Sequence, residues 1–67
     1  MEVMLEALWF AKRYMKSAGV HYRERMRLYH VIYGDEAFRA AVARGDLKSA
    51  VERVKELVRG AGRAWER

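Results

Sequence analysis

Five glycines are the strongest breaks in this 67-residue chain, because the sequence contains no proline. They divide it into four segments, each of a length suited to a short helix, and none of these segments has the composition of a linker. The spacing predicts one all-α domain over residues 1–67, a small bundle of three to four short helices. The glycines are Gly19, Gly34, Gly45 and the pair Gly60 and Gly62.

The short length limits how such a bundle is stabilised. A domain of this size buries only about 60% of the surface that its unfolded chain exposes. The chain has no cysteine, which excludes disulfides and thiolate metal sites. Efficient helix packing and self-association are the remaining sources of stability. We therefore predict a homo-oligomer, in which the apolar stripes close either within one chain or between two.

Several residue types are missing from the sequence. It contains no Cys, Asn, Gln, Thr or Pro, and ten arginines stand against four lysines. Asn, Gln and Cys are thermolabile, so their absence is typical of proteins from hot-living organisms, although proline-free loops are not. The composition predicts a thermophilic source, with chance in a short chain as the alternative.

The beginning of the chain does not resemble a secretory signal. Its apolar stretch, residues 5–11, is accompanied by Glu2 and Glu6, where a signal peptide carries basic residues. The longest uncharged run there, residues 7–11, is far shorter than the roughly 20 residues that span a bilayer. We expect an intracellular, cytoplasmic protein with no membrane contact.

The first segment, residues 2–18, has the periodicity of an amphipathic helix. Acidic residues come early in it and basic residues late, as the helix dipole favours, and Gly19 suits a left-handed cap. Leu5 and Trp9 lie on the polar face, which predicts a contact with a second chain; the alternative is a cation–π contact of Trp9 with Arg13. The apolar face comprises Val3, Met4, Ala7, Leu8, Phe10, Ala11, Tyr14, Met15 and Ala18.

The second segment, residues 20–33, is compatible with a helix or a strand. A helix places Tyr22, Met26, Tyr29 and Tyr33 in one stripe, whereas a strand leaves Glu24 among apolar residues and lacks a partner strand. The pattern favours the helix. The strand alternative would give the element order of ribbon-helix-helix dimers, whose paired strands enter the DNA major groove.

The last two segments begin with acidic caps. Asp35 predicts a helix over residues 36–44, and Asp46 predicts another helix after Gly45. Residues 37–50, including Gly45-Asp46 and Ala50, resemble the inner turn of a tetratricopeptide hairpin; we interpret this as local turn geometry, since the aromatic positions of that repeat are absent. The final helix carries the clearest apolar stripe. Its candidate interface residues are Leu47, Val51, Val54 and Val58, and Trp65 extends the stripe if the helix continues through Gly60 and Gly62.

The whole net charge of +5 comes from residues 12–30, which hold six basic residues and one acidic residue. Concentrated positive charge is typical of a surface that docks an anion. We therefore predict that the chain binds the phosphate backbone of DNA or RNA, with a protein-interaction or assembly module as the alternative and solvated surface charge as the simplest explanation. The candidate nucleic-acid-binding residues are Lys12, Arg13, Lys16, Arg23, Arg25 and Arg27.

Enzymatic and metal chemistry find little support in the sequence. Ser17 and Ser49 lie on polar helix faces, neither shares its helical segment with a histidine, and the glycines do not form a phosphate loop. His21 and Glu24 are one turn apart, but no third metal ligand accompanies them. We expect a non-enzymatic protein without a metal or other cofactor.

Overall fold

A computed structural model describes the backbone of residues 2–65 and the side chains of residues 3–61. This part of the chain forms four α-helices and contains no strand: α1 (Glu2–Ser17), α2 (Tyr22–Gly34), α3 (Glu36–Ala43) and α4 (Leu47–Trp65). The all-α prediction is confirmed, with four helices. The strand alternative for residues 20–33 is wrong, and with it the ribbon-helix-helix arrangement.

The final helix, α4, is the centre of the fold. The other three helices all pack against it, and α2 also contacts α3, whereas α1 and α2 make few contacts with each other. On α1 the fully buried residues include Ala7 and Ala11, and on α4 Ala50 is equally buried. Small side chains at these positions allow α1 and α4 to approach closely. The other buried core residues are Met15, Val20, Leu28, Ile32, Phe38, Ala41, Val54 and Val58.

Glycine in the left-handed conformation ends two of the helices. Gly19 has a φ of +79° and Gly45 a φ of +73°. After α1, the N–H groups of Gly19 and Val20 donate to the carbonyls of Lys16 and Met15, which is the Schellman pattern. Gly45 and the residue after it make the equivalent bonds at the end of α3. The predicted helix ends are therefore confirmed, to within one or two residues.

Side-chain caps begin the second, third and fourth helices. Asp35 accepts the N–H of Phe38 at 2.8 Å, and Asp46 accepts the N–H of Ser49 at 3.1 Å. Both caps are as the sequence predicted. The cap of α2 is His21, whose Nδ1 accepts the N–H of Arg23 at 3.2 Å, and the sequence pattern did not identify it.

The apolar stripe of α4 packs into the core of the single chain. Val54 and Val58 are buried, and Leu47, Val51 and Leu57 are partly buried. The helix continues through Gly60 and Gly62 as far as Trp65. The predicted contribution of Trp65 to the stripe lies outside the described side chains.

Candidate interaction groove between the first two helices

An open groove of about 360 Å³ lies between α1 and α2. Residues at spacings of three and four positions line each wall, so that each set occupies one face of its helix. Among residues with described side chains, none from α3 or α4 contributes to this lining. The lining residues, which we call the α1–α2 groove, are Leu5, Leu8, Trp9 and Lys12 of α1 and Tyr29 and Tyr33 of α2.

The walls of the α1–α2 groove are apolar and open to solvent. Leu5 is 59% exposed, Trp9 60% and Tyr33 47%. On α2, the exposed side chains of Tyr22 and Met26 extend the tyrosine stripe toward the start of the helix. Large apolar side chains clustered on one exposed surface are typical of an interaction site, whereas scattered ones are ordinary.

The groove exists because α4 covers only part of the apolar surface of α1. Ala7, Ala11 and Met15 face the core and are fully buried, while Leu5 and Trp9 lie roughly 80–160° away from them around the helix axis. On α2, Leu28 and Ile32 point into the core and the tyrosine stripe lies beside them. Each helix therefore has an inner apolar face that is packed and a neighbouring one that is not.

One cation lies within the α1–α2 groove. The ammonium group of Lys12 is 5.2 Å from the centre of the Trp9 ring, a distance suited to a cation–π contact. The sequence had suggested Arg13 as the cation beside Trp9. The structure corrects this: the cation over the Trp9 ring is Lys12, while Arg13 lines a neighbouring cleft together with Glu6, and Trp9 lines that cleft as well.

Arg25 has a structural role in the connection between the two helices. Its guanidinium donates to the carbonyl of Val20 at 3.1 Å and lies 5.8 Å from the centre of the Tyr22 ring. The side chain is partly buried, unlike those of the other five predicted phosphate-binding residues. Arg25 therefore stabilises the start of α2, and its charge is partly satisfied within the chain.

The remaining predicted phosphate-binding residues are distributed over three surfaces. Lys12 lines the groove, and Lys16 lies one turn further along the same edge of α1. Arg23 and Arg27 are exposed on the outer face of α2, with Arg23 nearer the tyrosine stripe. Arg13 lines the neighbouring cleft between α1 and α4, to which Trp9 also contributes. The six residues thus belong to one end of the molecule without forming a single surface.

The predicted interface residues divide into exposed and buried groups. Leu5 and Trp9 are exposed in the groove, and Leu47 and Val51 line the small cleft between α1 and α4. Val54 is fully buried and Val58 is 4% exposed, so both belong to the core of the single chain. In this fold these two valines are not accessible to a second chain.

The other polar side chains of the described region serve mainly in local structure. The hydroxyl of Ser17 donates to the carbonyl of Tyr14, and that of Ser49 donates to Asp46. The hydrogen bonds from Ser49 hold the pKa of the Asp46 carboxyl below its ordinary value. Among residues with described side chains, no three His, Asp or Glu groups come close enough together to hold a metal ion.

Within the described residues, no helix combines the length and apolar character needed to cross a bilayer. Comparison with protein-family models, curated proteins and solved structures finds no match for this chain. The groove is therefore interpreted from its own geometry and chemistry.

The groove is a candidate site that the sequence pattern did not predict as a unit. Both walls were visible separately, as Leu5 and Trp9 on the polar face of α1 and as the tyrosine stripe of α2. Their juxtaposition depends on how both helices pack on α4, which periodicity within one helix does not specify.

Proposed function

We propose that this chain is a non-enzymatic protein-interaction module, which holds an α-helix of a partner protein in the α1–α2 groove. The observation that carries the proposal is the open apolar groove, with Leu5, Trp9 and Tyr33 about half exposed or more. Burying such side chains against a partner contributes roughly 25 cal/mol for each Å² of apolar surface removed from water.

A helix suits this groove for geometric reasons. Its walls are two helices that both rest on α4 and make few contacts with each other. A third helix laid between them would pack by the same ridges-into-grooves rules that hold the rest of the bundle together. Helix-in-groove recognition uses apolar anchors at spacings of three, four and seven residues. Trp9 is suited to be the central contact, because tryptophan is enriched at interface hot spots.

The test uses a synthetic helical peptide with a leucine stripe and uncharged Ser and Gln flanks. We expect amide chemical-shift mapping by NMR to place its binding on α1 and α2, and Trp9→Ala to weaken that binding at least tenfold. Val31→Ala is the matched control, because Val31 is 45% exposed on α2 but does not line the groove. Shift changes confined to other surfaces, or equal effects of the two variants, would contradict the proposal.

A second candidate function is binding to nucleic acid through backbone phosphates. It is favoured by the exposure of Lys12, Lys16, Arg23 and Arg27 on α1 and α2, with the exposed ring of Tyr22 beside them. Fluorescence anisotropy with single- and double-stranded DNA and RNA tests it across a salt series. Three to six phosphate contacts predict a log–log slope of about −3 to −5 on duplex DNA.

Two variants separate the candidates. Combined Arg23→Glu and Arg27→Glu should abolish phosphate binding and leave the binding of the uncharged peptide intact, whereas Trp9→Ala should do the opposite. An absence of nucleic-acid binding at low salt would remove the second candidate. Self-association remains a prediction, and sedimentation velocity over a concentration series tests it directly.

A further inference from the structure

We propose that the helix held in the α1–α2 groove is an acidic one, with Asp or Glu side chains flanking its apolar stripe, and that it belongs to a different protein. This inference rests on the proposed function and adds the chemical class of the partner. The supporting observation is the distribution of charge around the groove.

The groove is bordered by basic side chains. Of the residues with described side chains that line it, Lys12 alone is charged, and Lys16 follows one turn later on the same helix. Along α2, exposed His30 and Arg23 come next after the tyrosine stripe around the helix, whereas Arg27 lies further round, beside Val31. A helix lying between α1 and α2 would therefore have basic groups near both of its flanks.

The acidic side chains of the described region are elsewhere. Glu6 does not line the groove but lines the neighbouring cleft, which shares Trp9 with it. Glu24 is partly buried on the core side of α2, one turn before Leu28. Asp35 is bound to Arg53, and Asp46, Glu52 and Glu56 line a cleft between α3 and α4. Glu36 lies at the start of α3 and does not contribute to the groove lining. The described lining of the groove is therefore apolar, with one cation and no acid, and Glu6 borders it through the shared side chain of Trp9.

Lys12 is placed to respond to an acidic partner. In the free chain its ammonium group lies over the Trp9 ring at 5.2 Å, next to the surface that a partner helix would cover. A carboxylate on the flank of that helix would pair with this ammonium group while the apolar stripe covers the indole. Complementary charge of this kind raises the rate of association and selects among partners.

The same charge distribution disfavours a second copy of this chain as the occupant. An isologous dimer would place two α1–α2 grooves face to face, because a twofold axis brings the same patch of each copy together. Lys12, Lys16 and Arg23 of one copy would then approach the same residues of the other. Like charges brought together at an interface oppose association.

The experiment compares three helical peptides that share one leucine stripe and differ only in their flanks, which carry Glu, uncharged Ser and Gln, or Lys. At about 10 mM ionic strength, where the Debye length is about 30 Å, we expect the Glu peptide to bind about tenfold tighter than the uncharged one. The Lys peptide should bind most weakly. The differences should shrink as salt is added, whereas the binding of the uncharged peptide should change little.

Charge reversal identifies the residues responsible. Combined Lys12→Glu and Lys16→Glu should remove or invert the preference for the Glu peptide. The matched control is Lys48→Glu with Arg59→Glu, which changes the net charge equally on exposed positions of α4 outside the groove. An equal loss of preference in both double variants would mean that net charge alone is responsible, and this would overturn the proposal.

The outcomes separate this inference from the proposed function. If the uncharged peptide binds the groove and the Glu peptide binds no tighter, the acidic partner is wrong and the helix-binding function survives. If none of the peptides binds, the proposed function and the inference fail together. The inference is also overturned if sedimentation shows a dimer that Trp9→Ala dissociates, or if an oligonucleotide occupies the groove in preference to the Glu peptide.

Discussion

The carboxylate of Asp35 and the guanidinium of Arg53 form a bidentate pair, with both hydrogen bonds 2.8 Å long. Asp35 lies at the junction of α2 and α3, and Arg53 lies on α4, eighteen residues away. The same carboxylate also accepts the N–H of Phe38, whose side chain is fully buried. One side chain therefore begins α3 and ties the junction to the central helix, which fixes the direction in which α2 leaves it.

Replacing Asp35 by alanine is expected to destabilise the fold. The loss of the helix cap alone costs about 1–2 kcal/mol, and the loss of the pair with Arg53 adds to this. Asp35→Asn should be less damaging, because asparagine still caps the helix. Urea denaturation measures both variants, with Lys48→Ala on exposed α4 as a control. A free energy of unfolding equal to wild type for Asp35→Ala would show that the pair and the cap contribute nothing.

The stability of the chain should decrease at acidic pH in part through this pair. The hydrogen bonds from Arg53 lower the pKa of Asp35 below its ordinary value of 3.8, and Arg53 in turn has its pKa raised by Asp35. A carboxyl whose pKa is lowered by folding stabilises the fold at pH values above its ordinary pKa. That stabilisation is lost as the pH falls through the lower pKa of the folded state.

Comparing wild type with Asp35→Asn isolates this effect. The difference in their free energies of unfolding should be constant from neutral pH down to about 4 and should shrink as the pH falls further. Thermal or urea unfolding at a series of pH values measures it. A difference that stays constant down to the lowest accessible pH would contradict the assignment.

Substitution of glycine by alanine should lower the stability of the fold at one position and raise it at another. Gly45 has a φ of +73°, where an alanine costs about 1–2 kcal/mol. Gly60 lies within α4, where alanine is more stable than glycine by about 0.5–1 kcal/mol. A Cβ atom at either position meets nothing within 4 Å, so backbone conformation alone decides the sign. Urea denaturation of Gly45→Ala and Gly60→Ala tests this, and effects of the same sign would refute the assigned conformations.

Two adjacent residues of α2 should differ sharply in their contribution to stability. Ile32 is fully buried, and Ile32→Ala should cost about 2–5 kcal/mol. A chain of this size has a total stability of only about 3–10 kcal/mol, so this variant is expected to be largely or partly unfolded. Val31 is exposed, and Val31→Ala should change the stability by less than about 0.5 kcal/mol. Thermal melts followed by circular dichroism compare the two, and similar melting temperatures would mean that α2 presents a different face to the core.

Trp9 should be nearly dispensable for folding, although it is the largest side chain of the groove. Its ring is 60% exposed and its cation–π contact with Lys12 is worth about 0.5–1 kcal/mol at an exposed site. The free energy of unfolding of Trp9→Ala, measured in urea, should therefore lie within about 1 kcal/mol of the wild-type value. A larger loss of stability would place Trp9 in the core and remove it from the proposed binding surface.

Helix ends could be predicted from the sequence because they depend on neighbouring residues. Gly19 and Gly45 end helices in the left-handed conformation, and Asp35 and Asp46 cap helices through N–H groups three residues away. The choice between helix and strand for residues 20–33 also followed from a local pattern, the stripe from Tyr22 to Tyr33. His21 was missed as a cap because histidine is not among the preferred capping residues.

Sequence by itself therefore determined the number, type and approximate ends of the helices, since hydrogen bonds and φ angles within a few residues decide them. Tertiary structure alone decided which faces meet. It placed Val54 and Val58 inside the chain, joined Asp35 to Arg53 across eighteen residues, and left Leu5 and Trp9 facing Tyr33 across an open groove. The physical reason is that burial depends on the relative positions of α1, α2 and α4, which arise only when three amphipathic helices share one small core.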